Sequence, residues 1–346
     1  MKNLRWYALL LLLMICALTA CKSSVDSTPA ATITVPGSTS PAINCEHLWN
    51  SSKGKCAKCD LLCEHTWDAE ESKCTICRFV CSHENGYNEE YTCDQCGNRQ
   101  LSIRHEFTYE SAVDGRKIWG FVQLPTQYDG KLPAIIMSHG HNSTHTTVLD
   151  YAEYFAGQGY ACIAFDYCGG AERNQSDGKF EDMTLDTEKQ DLYEIIDYVK
   201  TLEYVDADKL ILFGESQGGL MSLLVGSERE EEISGMILLY PAFSIPKESA
   251  NALASGGTSL GGVNYTNVAA SYYEKMDAMY AACTMPVLIL HGDVDRVVDV
   301  SWSQNAVDLF PDAELIVIAG GPHGFHAAHK QIVFEKGIAF LEKLFS

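Results

Sequence analysis

Short apolar runs that alternate with longer amphipathic segments constrain the fold of this chain from residue 103 onward. Runs of four or five apolar residues between polar segments are typical of buried parallel strands, and segments such as residues 186–202 have the spacing of helices. Two further strands, 105–109 and 117–124, are predicted as an antiparallel pair around Asp114-Gly115. Eight strands with helices between them predict a doubly wound, mostly parallel α/β sheet, in which functional groups gather at the carboxyl ends of strands. The apolar runs are residues 134–137, 161–165, 210–213, 236–239, 287–290 and 315–318.

The pentapeptide Gly214-Glu215-Ser216-Gln217-Gly218 lies between a predicted strand and a predicted helix. Gly-x-Ser-x-Gly in that context is typical of a nucleophile elbow, a turn so tight that larger side chains in place of the glycines would collide. Gly219 adds a third small residue at the start of the helix. The pattern predicts Ser216 as a nucleophile whose Oγ is presented in front of the helix amides.

A serine nucleophile needs a general base, and the sequence offers one after the last predicted strand. His323 lies there in the glycine-rich segment AGGPHGF, where its ring can reach the nucleophile. His326 and His329 are nearby alternatives, but both fall into the following predicted helix. We therefore predict His323 as the base.

The carboxylate that orients the base is expected in HGDVDRVV, after the next-but-one strand from the serine. Both Asp293 and Asp295 are available, and Asp295 is favoured because it falls at the usual His-Gly-x-x-Asp position. His291, in the same segment, is predicted to have a structural role at the end of the strand. The resulting chain order of serine, aspartate and histidine is the α/β-hydrolase order.

An oxyanion hole requires two backbone amides near the nucleophile. One is predicted at Gln217, directly after the serine, and the other at His141 in SHGHNST, the loop after the third strand. Only the backbone of His141 is required. The side chains of His141 and His145 are expected at the rim of the pocket.

Residues 103–346 resemble the bacterial cinnamoyl and feruloyl esterases of the α/β-hydrolase superfamily. The resemblance is carried by FGESQGG, HGDVDRVV, GGPHGF, LLYPAFSIP and especially SDGKFEDMT at residues 176–184. It implies an α/β-hydrolase fold with a small cap inserted after the sixth strand, at about residues 244–283, that binds the aromatic part of the substrate. On the same basis Tyr265 is a candidate contact for a phenolic hydroxyl.

The resemblance implies a serine esterase that acts on hydroxycinnamoyl esters of plant polysaccharide through an acyl-enzyme, without a cofactor. An acetyl xylan or short-chain acyl esterase remains an alternative, because Gly-x-Ser-Gln-Gly-Gly also occurs in acetyl xylan esterases. A serine peptidase is disfavoured, since the chain lacks the propeller domain that many peptidases of this fold carry. A surface-binding protein that uses the N-terminal cysteines is a further alternative.

Three copies of Cys-x-His followed by Cys-x-x-Cys occupy residues 45–98 and repeat at intervals of 18 or 19 residues. Three thiolates and one imidazole close a tetrahedron around structural zinc, so twelve ligands predict three Cys₃His sites that supply most of the folding free energy of this segment. Disulfides are the competing hypothesis for an exported chain, although nine cysteines leave one over. The pairing of half-sites stays open. The predicted ligands are Cys45, His47, Cys56, Cys59, Cys63, His65, Cys74, Cys77, Cys81, His83, Cys93 and Cys96.

The first 21 residues have the features of a bacterial lipoprotein signal peptide. Lys2 and Arg5 precede an apolar run too short to span a bilayer, and Leu18-Thr19-Ala20-Cys21 resembles a lipobox, which implies that Cys21 carries a lipid anchor. An ordinary secretory signal is the alternative, and either predicts export. The lipid anchor would hold the exported protein at the bacterial cell membrane or surface. Residues 22–44, rich in Ser, Thr, Pro and Ala, are predicted as a flexible linker.

A net charge of −21 argues against nucleic acid as a partner and leaves cell wall, glycan or protein as possible partners of the repeats.

Overall fold

The computed structural model describes residues 99–346 without a break, together with short stretches of the preceding chain at 49–50, 55–56, 67–70, 73–75, 88 and 90–94. The chain divides into two units. Residues 87–92 and 99–346 belong to the larger unit, and residues 1–86 and 93–98 to the smaller one.

The larger unit is built on a sheet of eight strands in the order β1-β2-β4-β3-β5-β6-β7-β8. β1 and β2 pair antiparallel, β2 pairs antiparallel with β4, and all further neighbours pair in parallel. Every apolar run predicted as a strand lies inside one of these strands, so the predicted eight-stranded, mostly parallel sheet is confirmed. The strands are β1 (Ser102–Glu110), β2 (Lys117–Pro125), β3 (Leu132–Ser138), β4 (Ala161–Phe165), β5 (Val205–Glu215), β6 (Gly235–Leu239), β7 (Val287–Gly292) and β8 (Ala313–Ile318).

Eight α-helices in residues 99–346 cover both faces of this sheet. Successive residues of one strand enter different clusters of buried side chains, as Ile135 and Ile136 do, because alternate side chains point to opposite faces. None of the helices in the described residues is both long and apolar enough to span a membrane. The helices are α1 (Leu149–Gly157), α2 (Leu185–Lys200), α3 (Gln217–Glu228), α4 (Ile245–Ala254), α5 (Gly262–Ser271), α6 (Met276–Ala282), α7 (Ser301–Val307) and α8 (Ala327–Leu344).

The start of α2 shows how local sequence fixes an element boundary. The Thr184 side chain accepts a hydrogen bond from the Thr187 amide, and the Thr187 side chain accepts one from the Thr184 amide. This reciprocal capping satisfies two amides that the first helical turn leaves unpaired. The helix therefore begins at Leu185, at the end of the segment SDGKFEDMT.

The segment between β6 and β7 forms three helices, α4, α5 and α6, within residues 244–283. Tyr265 and Ala269 of α5 are buried in the same cluster as Leu220 and Leu224 of α3. Within this segment, α5 contacts α2, and α6 contacts α3, the helix that begins directly after Ser216.

In the smaller unit, two short antiparallel pairs follow the sequence repeat. Trp49 pairs with Cys56, and Trp67 pairs with Cys74, each of the second pair lying 18 residues after its counterpart in the first. The backbone thus repeats with the same period as the cysteines.

The close packing of α3 against β3 yields a prediction about stability. A Cβ added to Gly218 would lie 2.3 Å from the Ser138 carbonyl oxygen and 2.6 Å from that of His139, and neither backbone atom can move freely. We expect Gly218→Ala to lower the free energy of unfolding by about 2–3 kcal/mol, as overpacked cores do. Gly257→Ala is the matched control, because its nearest neighbour would lie at 3.6 Å. Urea denaturation of both variants measures the difference, and equal stabilities would contradict the prediction.

Candidate active site

Ser216 follows β5 directly and adopts a backbone conformation that only a few non-glycine residues show, with φ 53° and ψ −119°. Its amide donates to the Leu239 carbonyl at 2.9 Å, and its carbonyl accepts from the Ala242 amide at 2.9 Å. Both partners lie at or just after the end of β6. The neighbouring strand therefore holds the turn in its strained form.

The glycines around Ser216 are required by contacts inside the turn. A Cβ on Gly214 would lie 2.2 Å from the Gly218 carbonyl oxygen. One on Gly219 would lie 2.8 Å from the Pro241 Cβ. The turn closes only because these positions have no side chain, which is the reason the motif contains them.

His323 lies in the loop after β8, with its ring between the serine and an aspartate. Its Nε2 is 3.0 Å from Ser216 Oγ, and its Nδ1 is 2.7 Å from Asp295 Oδ2. A carboxylate can only accept, so Nδ1 donates to Asp295, and the neutral ring accepts the Ser216 hydroxyl proton at Nε2. The structure thus brings together the predicted nucleophile, base and orienting carboxylate.

Asp295, after β7, is 8% exposed and surrounded by hydrogen-bond donors. Burial alone raises the pKa of this carboxyl, but hydrogen bonds from His291, His323 and the Val298 and Val297 amides outweigh burial and hold the pKa well below its usual range. Both amides donate to Oδ1, at 2.9 and 2.8 Å, which leaves Oδ2 for His323. Asp295 is therefore a carboxylate at every pH at which His323 can act as a base.

The alternative residues have other partners. Asp293 Oδ1 accepts from the Gly320 amide at 2.7 Å. His291 is fully buried, with Nδ1 2.7 Å from Ser303 Oγ and Nε2 2.9 Å from the Val298 carbonyl, which is the structural environment expected for it. His326 directly precedes α8 and His329 lies within it. Of the two aspartates, it is Asp295 that reaches the His323 ring.

The two segments that carry the predicted oxyanion residues both border the nucleophile. Gln217 begins α3, so its amide has no acceptor within the helix and lies at the positive end of the helix dipole. Gly140, the neighbour of His141, lies so near that an added Cβ would be 3.2 Å from Ser216 Cβ and 3.7 Å from Oγ. The loop after β3 therefore passes directly against the nucleophile.

This loop is anchored by Asp166, a residue that the sequence reasoning missed. Asp166 follows β4, is fully buried, and its Oδ1 accepts from the His145 amide and lies 2.8 Å from His145 Nδ1. Burial raises the pKa of this carboxyl, but hydrogen bonds from His145 and the Gln175 amide outweigh burial and hold the pKa below its usual value. His145, expected at the rim, instead packs its ring 4.5 Å from that of Trp119. A lone aspartate at the carboxyl end of a buried strand was the available signal.

Tyr265 differs from its expected role. Its side chain is 0% exposed, and its hydroxyl donates to Gln217 Oε1 at 2.6 Å. Its ring lies 5.7 Å from the ring of His141. Because the hydroxyl is committed to Gln217 and no surface is open, the described arrangement leaves no phenolic contact from Tyr265 to a substrate.

Few of the predicted metal ligands fall in the described residues. Cys74 and Cys93 are buried, and Cys56 is described only as part of a strand. The described residues contain no cluster of three or more metal-ligating side chains. Cys21 and the remaining predicted ligands lie outside the described residues: Cys45, His47, Cys59, Cys63, His65, Cys77, Cys81, His83 and Cys96.

Comparison with known proteins agrees with the fold. Residues 131–263 match the family model described as serine aminopeptidase, S33. The mitochondrial palmitoyl-protein thioesterase ABHD10 of Homo sapiens is 26% identical over 216 residues, which cover 56% of this chain and 68% of that protein.

Two solved structures are also similar to this chain. Est1E from Butyrivibrio proteoclasticus, with ferulic acid bound, is 25% identical with a TM-score of 0.62, and the match covers 69% of this chain and 99% of Est1E. Acetyl xylan esterase 1 from Thermoanaerobacterium sp. JW/SL YS485 is 18% identical with a TM-score of 0.54, over 71% of this chain and 84% of that enzyme. Together with the strand order, these matches show that the larger unit has the α/β-hydrolase fold. Within it, Ser216, His323 and Asp295 have the geometry of a Ser-His-Asp triad.

Proposed function

We propose that this protein is an exported serine esterase that hydrolyses carboxylic esters, with hydroxycinnamoyl esters of plant polysaccharide as its substrates. The observation that carries the proposal is the position of the His323 ring, 3.0 Å from Ser216 Oγ on one side and 2.7 Å from Asp295 Oδ2 on the other. That geometry activates a serine for attack on a carbonyl carbon.

In the first half of the reaction, Ser216 Oγ attacks the ester carbonyl carbon while His323 Nε2 takes the hydroxyl proton. Asp295 stabilises the imidazolium that forms, and the amides of Gln217 and His141 donate to the oxyanion. Collapse of the tetrahedral intermediate breaks the bond to the alcohol oxygen. His323 gives its proton to the leaving alcohol, and the acyl group remains on Ser216.

In the second half, water takes the place of the alcohol. His323 removes a proton from the water, and the water oxygen attacks the acyl carbon. The same two amides donate to the oxyanion that forms. Ser216 Oγ then leaves with the proton from His323. The free acid is released, and each step uses groups supplied by this chain.

The hydroxycinnamoyl assignment is supported by the similarity to Est1E and by the segment at residues 176–184. Within this segment, Ser176 Oγ donates to the Asp166 carbonyl at 2.6 Å and accepts from the Trp119 amide at 2.9 Å. Phe180 lies with its ring 5.4 Å from that of His141. The segment thus packs against the loop that borders the nucleophile, where it can shape an acyl pocket.

A second candidate is the hydrolysis of acetyl or other short acyl esters. The burial of Tyr265 favours it, because the phenol contact expected for a hydroxycinnamate is absent from the described arrangement. The same serine, histidine and aspartate would carry out the reaction, so the two candidates differ only in the acyl group that the pocket accepts.

A hydrolysis panel tests the proposal and separates the candidates. It compares methyl ferulate and methyl p-coumarate with acetylated xylan, short p-nitrophenyl esters and an aminoacyl p-nitroanilide. We expect the highest kcat/KM on the hydroxycinnamates and a loss of at least about 10³-fold in Ser216→Ala. Activity confined to short acyl esters would overturn the hydroxycinnamoyl assignment, and cleavage of the anilide alone would overturn the esterase proposal.

The two aspartates after β7 give a matched pair of variants. Asp295→Asn replaces the carboxylate that holds His323, and we expect kcat on the best ester to fall by about 10³–10⁴-fold. Asp293→Asn makes the same chemical change 2 residues away, at a side chain bonded to the Gly320 amide, and should keep kcat within about threefold. Steady-state kinetics decide the point. A larger loss in Asp293→Asn would reverse the assignment of the carboxylate.

We further propose that Cys21 anchors the protein to the bacterial cell membrane or surface and that residues 45–98 bind three structural zinc ions. The 18-residue period shared by the cysteines and the two described strand pairs supports equivalent structural units. Cys74, at the second pair, is buried as a zinc thiolate would be.

Elemental analysis of the purified protein tests the zinc sites. We expect about three zinc ions per chain and about one fewer in Cys56→Ser, because a structural site needs all four ligands. Cys162→Ala is the control, since this buried thiol lies in β4 of the hydrolase unit and should not change the zinc content. A purified protein that contains no zinc and whose N-terminal thiols are oxidised would overturn the zinc proposal in favour of disulfides.

A further inference from the structure

A chain of hydrogen bonds runs from the segment between β6 and β7 through Gln217 to α2. The Tyr265 hydroxyl donates to Gln217 Oε1 at 2.6 Å, and Gln217 Nε2 donates to Glu188 Oε2 at 2.7 Å. The three side chains come from three helices, α5, α3 and α2, and each is at most 1% exposed. The Gln217 side chain is therefore held at both ends in an environment without water.

Burial makes this arrangement specific. A buried amide that loses a partner keeps an unpaired polar group, which is more costly than the hydrogen bond is favourable. With Oε1 facing the Tyr265 hydroxyl and Nε2 facing Glu188, one amide satisfies both partners. The Gln217 backbone, which follows the nucleophile directly, is thus tied to the position of α5.

The same tyrosine also touches the second residue of the proposed oxyanion hole. Its ring lies 5.7 Å from the His141 ring in an edge-to-face arrangement. Tyr265 therefore contacts Gln217 through its hydroxyl and His141 through its ring. A shift of α5 would disturb both residues of the proposed oxyanion hole.

We propose that Tyr265 is a positioning residue: through the Gln217 side chain and the His141 ring, it makes the oxyanion hole depend on the seating of the segment between β6 and β7. This inference rests on the proposed function. It assigns to the segment a part in organising catalysis, in addition to covering the substrate.

Glu188 supports this role from the other end of the hydrogen-bonded chain. Burial raises the pKa of its carboxyl to about 8, against the opposing hydrogen bond from Gln217, and the nearby Asp191 raises it further. Tyr167 and Tyr265 also interact electrostatically with the Glu188 carboxyl. Glu188 is consequently mostly protonated at neutral pH, so glutamine can replace it with the same charge and an acceptor oxygen.

The decisive experiment compares Tyr265→Phe with Tyr272→Phe. Tyr272 lies just after α5, and its hydroxyl bonds to Asp186, which also ties this segment to α2 but bypasses Gln217. We expect kcat of Tyr265→Phe to fall about tenfold with KM within about twofold, because misplaced oxyanion donors weaken binding of the transition state more than that of the substrate. Tyr272→Phe should keep kcat within about twofold.

Two substitutions at Glu188 provide a rescue test. Glu188→Gln keeps the acceptor and should retain kcat, whereas Glu188→Met removes it and should lower kcat about as much as Tyr265→Phe. Thermal unfolding of every variant shows whether it is folded. Equal kcat losses in the two tyrosine variants, or a loss confined to KM, would overturn the inference.

The rate at which a fluorophosphonate labels Ser216 separates this inference from the proposed function. Labelling forms an Oγ–phosphorus bond with loss of fluoride and uses the same oxyanion donors, but it needs no natural ester. Slower labelling of Tyr265→Phe than of Tyr272→Phe would support the inference even if the hydroxycinnamate panel failed. Equal labelling rates would overturn it even if the panel succeeded.

Discussion

The backbone strain at Ser216 is the constraint on which the rest of this site depends. A non-glycine residue at φ 53° keeps that conformation only where its surroundings enforce it, and here the enforcing contacts are hydrogen bonds to Leu239 and Ala242. These bonds require that β6 lie beside β5 in parallel register. The nucleophile is thus a product of the sheet. Gly214 lets the turn close against Gly218, and Gly218 lets α3 approach the end of β3.

Around this point, each strand end supplies one function. The ends of β7 and β8 deliver Asp295 and His323, and the end of β3 delivers the loop that passes against Ser216. Asp166, after β4, holds that loop in place. The surroundings set opposite protonation states: hydrogen-bond donors keep Asp295 ionised, whereas burial keeps Glu188 mostly protonated. The charged carboxylate of Asp295 therefore lies beside the histidine that moves a proton, and the neutral acid of Glu188 lies where it only accepts a hydrogen bond.

Much of this could be predicted from local pattern. Apolar runs located six of the eight strands of the sheet because a strand buried on both faces must be apolar along its length, and strand–Gly-x-Ser-x-Gly–helix located the nucleophile because few other residues fit that turn. The choice between Asp293 and Asp295 rested only on motif spacing, and their different partners, Gly320 and His323, are 27 and 28 residues away. Asp166 gave only the weaker signal of a lone aspartate after a buried strand, and Glu188 gave none, because no motif relates either residue to its partner.

The sequence by itself determined the sheet, the chain order of the reactive residues and the position of the turn, because each is encoded by neighbouring residues through periodicity or steric limits. Only the tertiary structure decided which carboxylate meets His323 and what Tyr265 does. Tyr265 and Gln217 are 48 residues apart, and a buried hydroxyl takes whichever acceptor the packing of two helices brings within reach. The resemblance would place Tyr265 against a substrate, but its hydroxyl is instead hydrogen-bonded to Gln217, the residue beside the nucleophile.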